Sequence, residues 1–340
     1  MRNWKLISLI LCLFLAGFLN FNLPAFGQIK PIELNYSTHM PGPHSVAILA
    51  KEWAKEIEKR TDGRVKITVF VGGALLPADK CYDGVLKGIA DITSANPCNM
   101  RGRFPLSEVI ELPLGYKSAM AGARLVNEWY KKFRPKEFDE TQVMYFHTHG
   151  PGLIHTKKAV NKLEDLKGMK IRCNAVQVDV VKAIGGAPVA MTAAESYDAL
   201  RKGVAEASFN PMEALVGFKW GEVLKFTIED TGCEYVSIFA VVMNKRKWSS
   251  ISPGDQKIIE KINEEWIEKE GKNWDAIDQS GRDFSLKLGN KIISFSQEER
   301  AKMVKAVRPL LDEYLKRMKA MGLPGEEALN FCIERLQKLQ

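Results

Sequence analysis

Apolar and polar positions along this chain follow two alternating rhythms, and the sequence of rhythms starts twice. Ile32 to Ser37 alternates as a strand with one covered face does, then runs into the turn-rich segment Met40-Pro-Gly-Pro43. Between Ser45 and Arg60 the residues Val46, Leu49, Ala50, Trp53 and Ile57 recur at helical spacing, and Thr61-Asp-Gly63 ends that helix. Val65 to Val71 alternates and then turns apolar, as a strand covered by helices would. Gly72-Gly73 turns the chain, Asp79 to Lys87 has a helical pattern, and Ile89 to Ser94 forms a further short strand. This βαβαβ order predicts a parallel sheet with helices on both faces.

The order begins again after Pro151-Gly152. Met169 to Cys173 is a strand, Val176 to Ile184 a helix, Pro188 to Met191 a strand, Ala194 to Lys202 a helix and Ala205 to Phe209 a strand. Two long β candidates, Gln142 to His147 and Tyr235 to Met243, flank this second half and suit segments that cross between lobes and form a hinge. From Ser252-Pro-Gly-Asp255 a helical pattern continues through Ile258, Ile262, Trp266 and Trp274 toward Leu288, long enough to act as a strut across both lobes. Ser296-Gln-Glu-Glu299 reads as a capping box opening a helix to about Met321, and Ala328 to Leu339 is a last helix. The expected fold class is therefore α/β with two lobes. Lobe I takes residues 28–148 with about 237–275, and lobe II takes residues 149–236 with about 276–340.

Residues 1–27 carry the marks of an export leader. Arg2 and Lys5 are basic, Leu6 to Leu19 is almost unbroken apolar sequence, and Ala25-Phe-Gly27 supplies small residues before a cleavage point ahead of Gln28. The apolar run is shorter than the roughly 20 residues of a spanning helix. Loss of Arg2 and Lys5 lowers the formal charge from +8 to +6, and both signs are interspersed, which is not a nucleic-acid footprint. Cys81, Cys98, Cys173, Cys233 and Cys332 remain, widely spaced and without a C-x-x-C pair. An oxidising compartment permits one or two disulfides among them, and small buried hydrophobes are the alternative reading.

The chemistry concentrates at Arg172. It lies in a short β run behind Gly168, and a guanidinium at a cleft-facing strand end suits bidentate capture of a carboxylate. A surface salt bridge is the plainer reading of such a residue taken alone. His39 follows the first strand and Asn96 the third, so both should reach the cleft. Glu213 either holds an amine or supplies negative charge at a helix start. His147 and His149 share a strand face, as a metal pair would, but no third ligand is adjacent, and no metal or other cofactor is expected. Nucleophile elbow, zinc-protease, P-loop and dinucleotide signatures are all absent.

In order, Gly73-Ala-Leu75, Gly88-Ile-Ala-Asp-Ile92, Phe104-Pro105, Glu111-Leu-Pro113, Glu164 to Arg172, Gly185 to Val189, Glu195 to Gly203 and Trp248 to Gln256 resemble the DctP family. These are the extracytoplasmic solute-binding subunits of tripartite ATP-independent periplasmic (TRAP) transporters. The resemblance covers nearly the whole chain beyond the leader. It implies a two-lobed periplasmic binding protein fold, with hinge strands crossing between the lobes and a long helix spanning both. It also implies a clamp that closes on a small organic carboxylate and delivers it to the two membrane subunits. By the same resemblance Arg172 pairs with the ligand carboxylate and Asn210 lines the pocket. Ala205-Glu-Ala-Ser208 departs from the family's acidic-Gly pattern. Gly152 stands where some sialic-acid-binding relatives carry a second arginine, which favours a monocarboxylate with an apolar or aromatic body, although a keto or dicarboxylic acid stays open. Phe209, Met212, Trp220 and Tyr235 are the aromatic and apolar candidates beside it, with core packing as the alternative. A receptor feeding a sensor system, and an exported enzyme acting on a carboxylic acid, are the rival functions.

Overall fold

The computed structural model describes residues 30–100 and 102–340; the leader and its cleavage point lie outside the described residues. The first half runs β1 (Ile32–Ser37), α1 (Ser45–Arg60), β2 (Val65–Phe70), α2 (Cys81–Leu86), β3 (Ile92–Ala95), α3 (Glu108–Glu111), α4 (Ala119–Phe133) and β4 (Thr141–Thr148). The second half runs β5 (Leu153–Thr156), β6 (Lys170–Cys173), α5 (Val178–Ala183), β7 (Ala187–Ala190), α6 (Ala193–Lys202), β8 (Ala207–Asn210), α7 (Ala214–Gly217) and β9 (Phe226–Glu229). After a second crossing come β10 (Ile238–Asn244), α8 (Lys245–Ser250), α9 (Pro253–Lys287), β11 (Lys291–Ser294), α10 (Gln297–Ala320) and α11 (Gly325–Leu339).

Two sheets result, with strand orders β2-β1-β3-β10-β4 and β11-β9-β5-β8-β6-β7. β1 pairs in parallel with β2 and β3, and β6 pairs in parallel with β7 and β8. The carboxyl ends of these strands therefore point one way in each lobe, which is where open α/β sheets offer a binding crevice. The returning strand β10 lies antiparallel between β3 and β4.

Both expected crossings exist, but their pairing partly differs from the expectation. Tyr235 to Ser237 is not strand. Gly152 N–H donates to Tyr235 O at 2.8 Å, and Ser237 N–H donates to His149 Nε2 at 3.0 Å, so the two crossing segments bond to each other before β10 begins. The four-residue strands β5, β9 and β11 were too short to carry a period of their own, and their sheet partners define them.

The long helix α9 covers 35 residues and touches both lobes. Ser252 Oγ caps it by accepting from Asp255 N–H. In lobe I, Asn263 Oδ1 accepts the indole N–H of the fully buried Trp53 at 3.0 Å. In lobe II, Asp278 Oδ1 accepts Glu213 N–H at 2.8 Å, and Gly281 passes directly beneath the Met212 carbonyl. A Cβ at 281 would sit 2.1 Å from Met212 O. Gly281→Ala should therefore lower the melting temperature by a few degrees, because overpacking of about 1–3 kcal/mol exceeds the roughly 1 kcal/mol gained in helix propensity. A thermal melt at or above wild type would show that the helix moves aside freely.

The carboxyl-terminal helices depart from the assignment of residues 276–340 to lobe II. Phe295, Met303 and Val307 do pack in the lobe II core. Tyr314, Met318, Leu329, Cys332 and Leu336 instead join the lobe I core around Leu125, Trp129 and Phe146. The reason is the apolar stripe 329-332-336 of α11, which is covered by α4, a helix the sequence reading did not single out. All five described cysteines are buried and free.

Candidate functional site

Strand alternation builds the site. In β6, Ile171 and Cys173 turn into the lobe II core, which sends Arg172 to the opposite face. In β8, Arg172 is registered against Ser208. Arg172 Nη1 donates to Asn210 Oδ1 at 2.6 Å, Nη2 donates to Met191 O at 2.7 Å just beyond β7, and Ser208 Oγ donates to the same Asn210 Oδ1 at 2.7 Å. The indole ring of Trp220 lies 5.2 Å from the guanidinium carbon. Arg172 is 1% exposed, and its Nε has no protein partner.

Among the described residues no carboxylate makes an ion pair with this guanidinium. Burial lowers its pKa from the ordinary value, opposed by the Tyr235 phenol, the Cys173 and Cys98 thiols and, least of these, the Glu195 carboxylate. Burial raises the phenol and both thiols, so these three are neutral at pH 7. A buried cation held only by neutral acceptors is costly, and an external anion removes that cost.

A second layer fixes Asn210. The His155 ring in β5 lies between Thr227 Oγ1, 2.9 Å from Nδ1, and Asn210 O, 3.0 Å from Nε2. Because the carbonyl only accepts, Nε2 carries the proton and Nδ1 accepts from the threonine. Burial lowers the His155 pKa to about 4, which keeps this tautomer neutral.

Lobe I faces this cluster with the carboxyl ends of β1 and β3. His39 follows β1; its Nδ1 is buried without a protein partner, and burial lowers its pKa to about 4. Asn96 directly follows β3, with Nδ2 donating to Ile238 O at 3.2 Å and Oδ1 unpartnered. Phe239 is stacked between His39 and His147, with ring centroids 6.3 and 4.8 Å away. The lobes touch where the 3₁₀ turn Pro97–Asn99 meets the 3₁₀ turn Ala175–Gln177. They touch again where His44 meets Glu213 at 3.0 Å. His44 Nδ1 accepts Val46 N–H at the cap of α1, so its Nε2 proton is the one donated to Glu213 Oε1.

The model of the family DctP, bacterial extracellular solute-binding protein family 7, matches residues 36–317. The chain belongs to the DctP family. A TRAP solute-binding protein from Rhodoferax ferrireducens, solved with copurified benzoate, superposes with a TM-score of 0.84 at 28% identity, covering 91% of this chain and 98% of that one. One from Bordetella bronchiseptica, with bound (R)- and (S)-mandelate, also gives 0.84 at 28% identity, covering 91% and 100%. A sequence relative, the 2,3-diketo-L-gulonate-binding periplasmic protein of Escherichia coli, is 26% identical over 75% of this chain and 78% of its own length. These are solute-binding transport proteins, and the two-lobed α/β architecture is theirs as well.

The two-lobed DctP fold unites some of the residues singled out from sequence and separates others. Arg172, Asn210 and Trp220 form one cluster, while His39 and Asn96 stand at the strand ends of the facing lobe. Phe209 does not face the guanidinium: Ser208 and Asn210 take that side of β8, so alternation turns Phe209 into the core against Tyr235, with ring centroids 4.6 Å apart. Tyr235 is core as well; its hydroxyl donates to Phe209 O and its ring packs on Gly152. Met212 packs with Leu153 and Trp220 beneath α9. Glu213 is engaged by His44 rather than left for an amine. The histidine pair is likewise committed, His147 Nδ1 accepting from Trp274 and His149 bonding Gly150 O and Ser237 N–H.

Sequence reasoning did not place His155, Ser208 or Gln177 in the site. Gln177 is the signal that could have been found, a lone amide in the otherwise apolar run Ala175-Val-Gln-Val178 five residues after Arg172. Two surface hollows lie away from this cluster. One, ≈ 670 Å³, runs along α10 at Arg300, Val304 and Arg308, and the other, ≈ 430 Å³, lies beside the crossings at Glu234, Asp275 and Arg282.

Proposed function

We propose that this DctP protein is exported, with its leader cleaved before Gln28, captures a small aromatic monocarboxylate between its lobes and presents the closed form to TRAP membrane subunits. The observation that carries the reading is the buried Arg172 fork, held by Asn210 and Met191 O with no anionic partner among the described residues. A planar guanidinium meets a carboxylate with two parallel donors, and desolvation strengthens that contact. One such fork matches one carboxylate. Tyr235 fills the space at Gly152, so nothing there balances a second negative charge. The Trp220 indole beside the fork suits a flat apolar body. Benzoate and mandelate, bound by two structural relatives across nearly the whole fold, are acids of that kind. The diketogulonate-binding relative points to a sugar acid instead, over a smaller share of the chain.

Titration calorimetry with benzoate, mandelate, 2,3-diketogulonate and benzamide tests this. The aryl acids should bind and benzamide, isosteric but uncharged, should lose at least 100-fold in affinity. Equal binding of benzamide, or binding of the sugar acid alone, overturns the reading.

A further inference from the structure

We infer that Gln177, together with Asn96 across the cleft, forms a second polar pole of the binding site that selects aryl carboxylates bearing a ring hydroxyl. The inference rests on the aryl-carboxylate reading above and adds to it a specificity-determining residue.

Gln177 is 1% exposed, and neither Oε1 nor Nε2 has a protein hydrogen-bond partner. A primary amide carries two donors and an acceptor, and native interiors rarely leave such a group wholly unmet. Its position is not arbitrary. Asn174 caps the 3₁₀ turn Ala175–Gln177, which directly follows the strand that carries Arg172. That turn packs against Pro97–Asn99, whose cap residue is Asn96. Cys98 in the same turn lies within the field of the Arg172 charge, and the contact between the two turns sets the Gln177 and Asn96 segments beside the strand that carries the fork.

Asn96 spends its Nδ2 on Ile238 O, which fixes the amide and leaves Oδ1 free to accept. The pole therefore offers a donor from lobe II, Gln177 Nε2–H, and acceptors from both lobes, Gln177 Oε1 and Asn96 Oδ1. A hydroxyl accepts and donates at once, so one group on the ligand answers both lobes. A second carboxylate only accepts; it would leave Asn96 Oδ1 unmet and add a charge with no second cation. An unsubstituted ring would bury both amides against carbon. A site built to bond a hydroxyl discriminates strongly against the analogue that lacks it.

The test compares benzoate with 2-, 3- and 4-hydroxybenzoate by calorimetry. The best hydroxylated acid should bind the wild-type protein about 10- to 100-fold more tightly than benzoate. In Gln177→Met, similar in volume but without the amide, that preference should shrink to within about threefold, the hydroxylated acids losing more affinity than benzoate. The wild-type comparison needs no variant to fold. If wild type binds benzoate as tightly as every hydroxybenzoate, or if Gln177→Met weakens all four acids equally, the second pole is wrong and the aryl-carboxylate reading stands. If wild type binds none of the four and no mandelate, the aryl-carboxylate reading itself fails, and this inference with it.

Discussion

Arg172→Ala is expected to weaken binding of the carboxylate ligand by about 3–5 kcal/mol, the cost of removing one member of a buried pair, or two to more than three powers of ten in Kd. The loss has two parts. The ligand anion would be desolvated without a countercharge, and Asn210 Oδ1 would retain only the Ser208 hydroxyl of its two donors. Arg172→Lys should recover part of the affinity, since it restores charge but not the fork that holds Asn210 and Met191 O together with a ligand. Arg172→Met separates binding from folding. The ligand-free wild type carries a buried cation without an anionic partner, so this variant should melt at or above the wild-type temperature while its ligand-induced shift disappears. Retained affinity in Arg172→Ala, measured by calorimetry, would remove Arg172 from the site.

Glu270→Gln should stabilise the protein increasingly as pH rises. Glu270 lies in the middle of α9, 1% exposed, with Oε2 unpartnered, and burial pushes its carboxyl up to about 8. Its 4.0 Å approach to His147 Nδ1 is not an ion pair. That nitrogen already accepts the Trp274 indole N–H, and burial lowers the imidazole to about 3, so both groups are neutral at pH 7. The sign follows from proton counting. Below about 4.5 the carboxyl is protonated in both states and contributes no pH dependence. Between about 4.5 and about 8 the unfolded chain releases the proton while the folded chain keeps it, and stability falls by about 1.4 kcal/mol per pH unit. Glutamine resembles the protonated carboxyl and does not titrate. The difference in melting temperature, variant minus wild type, should grow from near pH 5 to pH 8 and then level off. Glu111, also raised to about 8, is present in both proteins and cancels in the comparison. A difference independent of pH would mean that Glu270 is ionised in the folded state.

Much of the fold was legible because its signals are local. The helices α1, α9 and α10 announce themselves through apolar spacing and through the stop at Thr61-Asp-Gly63 and the caps at Ser252 and Ser296. Arg172 stood out because a guanidinium is an unusual occupant of a short β run. The four-residue strands of lobe II did not stand out, since four residues hold barely two periods and their assignment depends on neighbours far along the chain. Helix α11 was read correctly as helix and assigned to the wrong lobe, because an apolar stripe states that it will be covered but not by what.

The sequence alone therefore determined the class of molecule, its two-lobed α/β plan and the identity of its one conspicuous cation, all set by periodicity, capping chemistry and motif order over short spans. The tertiary structure decided which groups stand around that cation. Strand register puts Ser208 and Asn210 beside Arg172 and turns Phe209 away, while lobe contact brings the turn Ala175–Gln177 to the turn Pro97–Asn99 and gives Glu213 to His44. Those pairings join residues dozens to more than 150 positions apart, and which partner a buried polar group finds depends on sheet order and on how the lobes pack, which no short stretch of chain encodes.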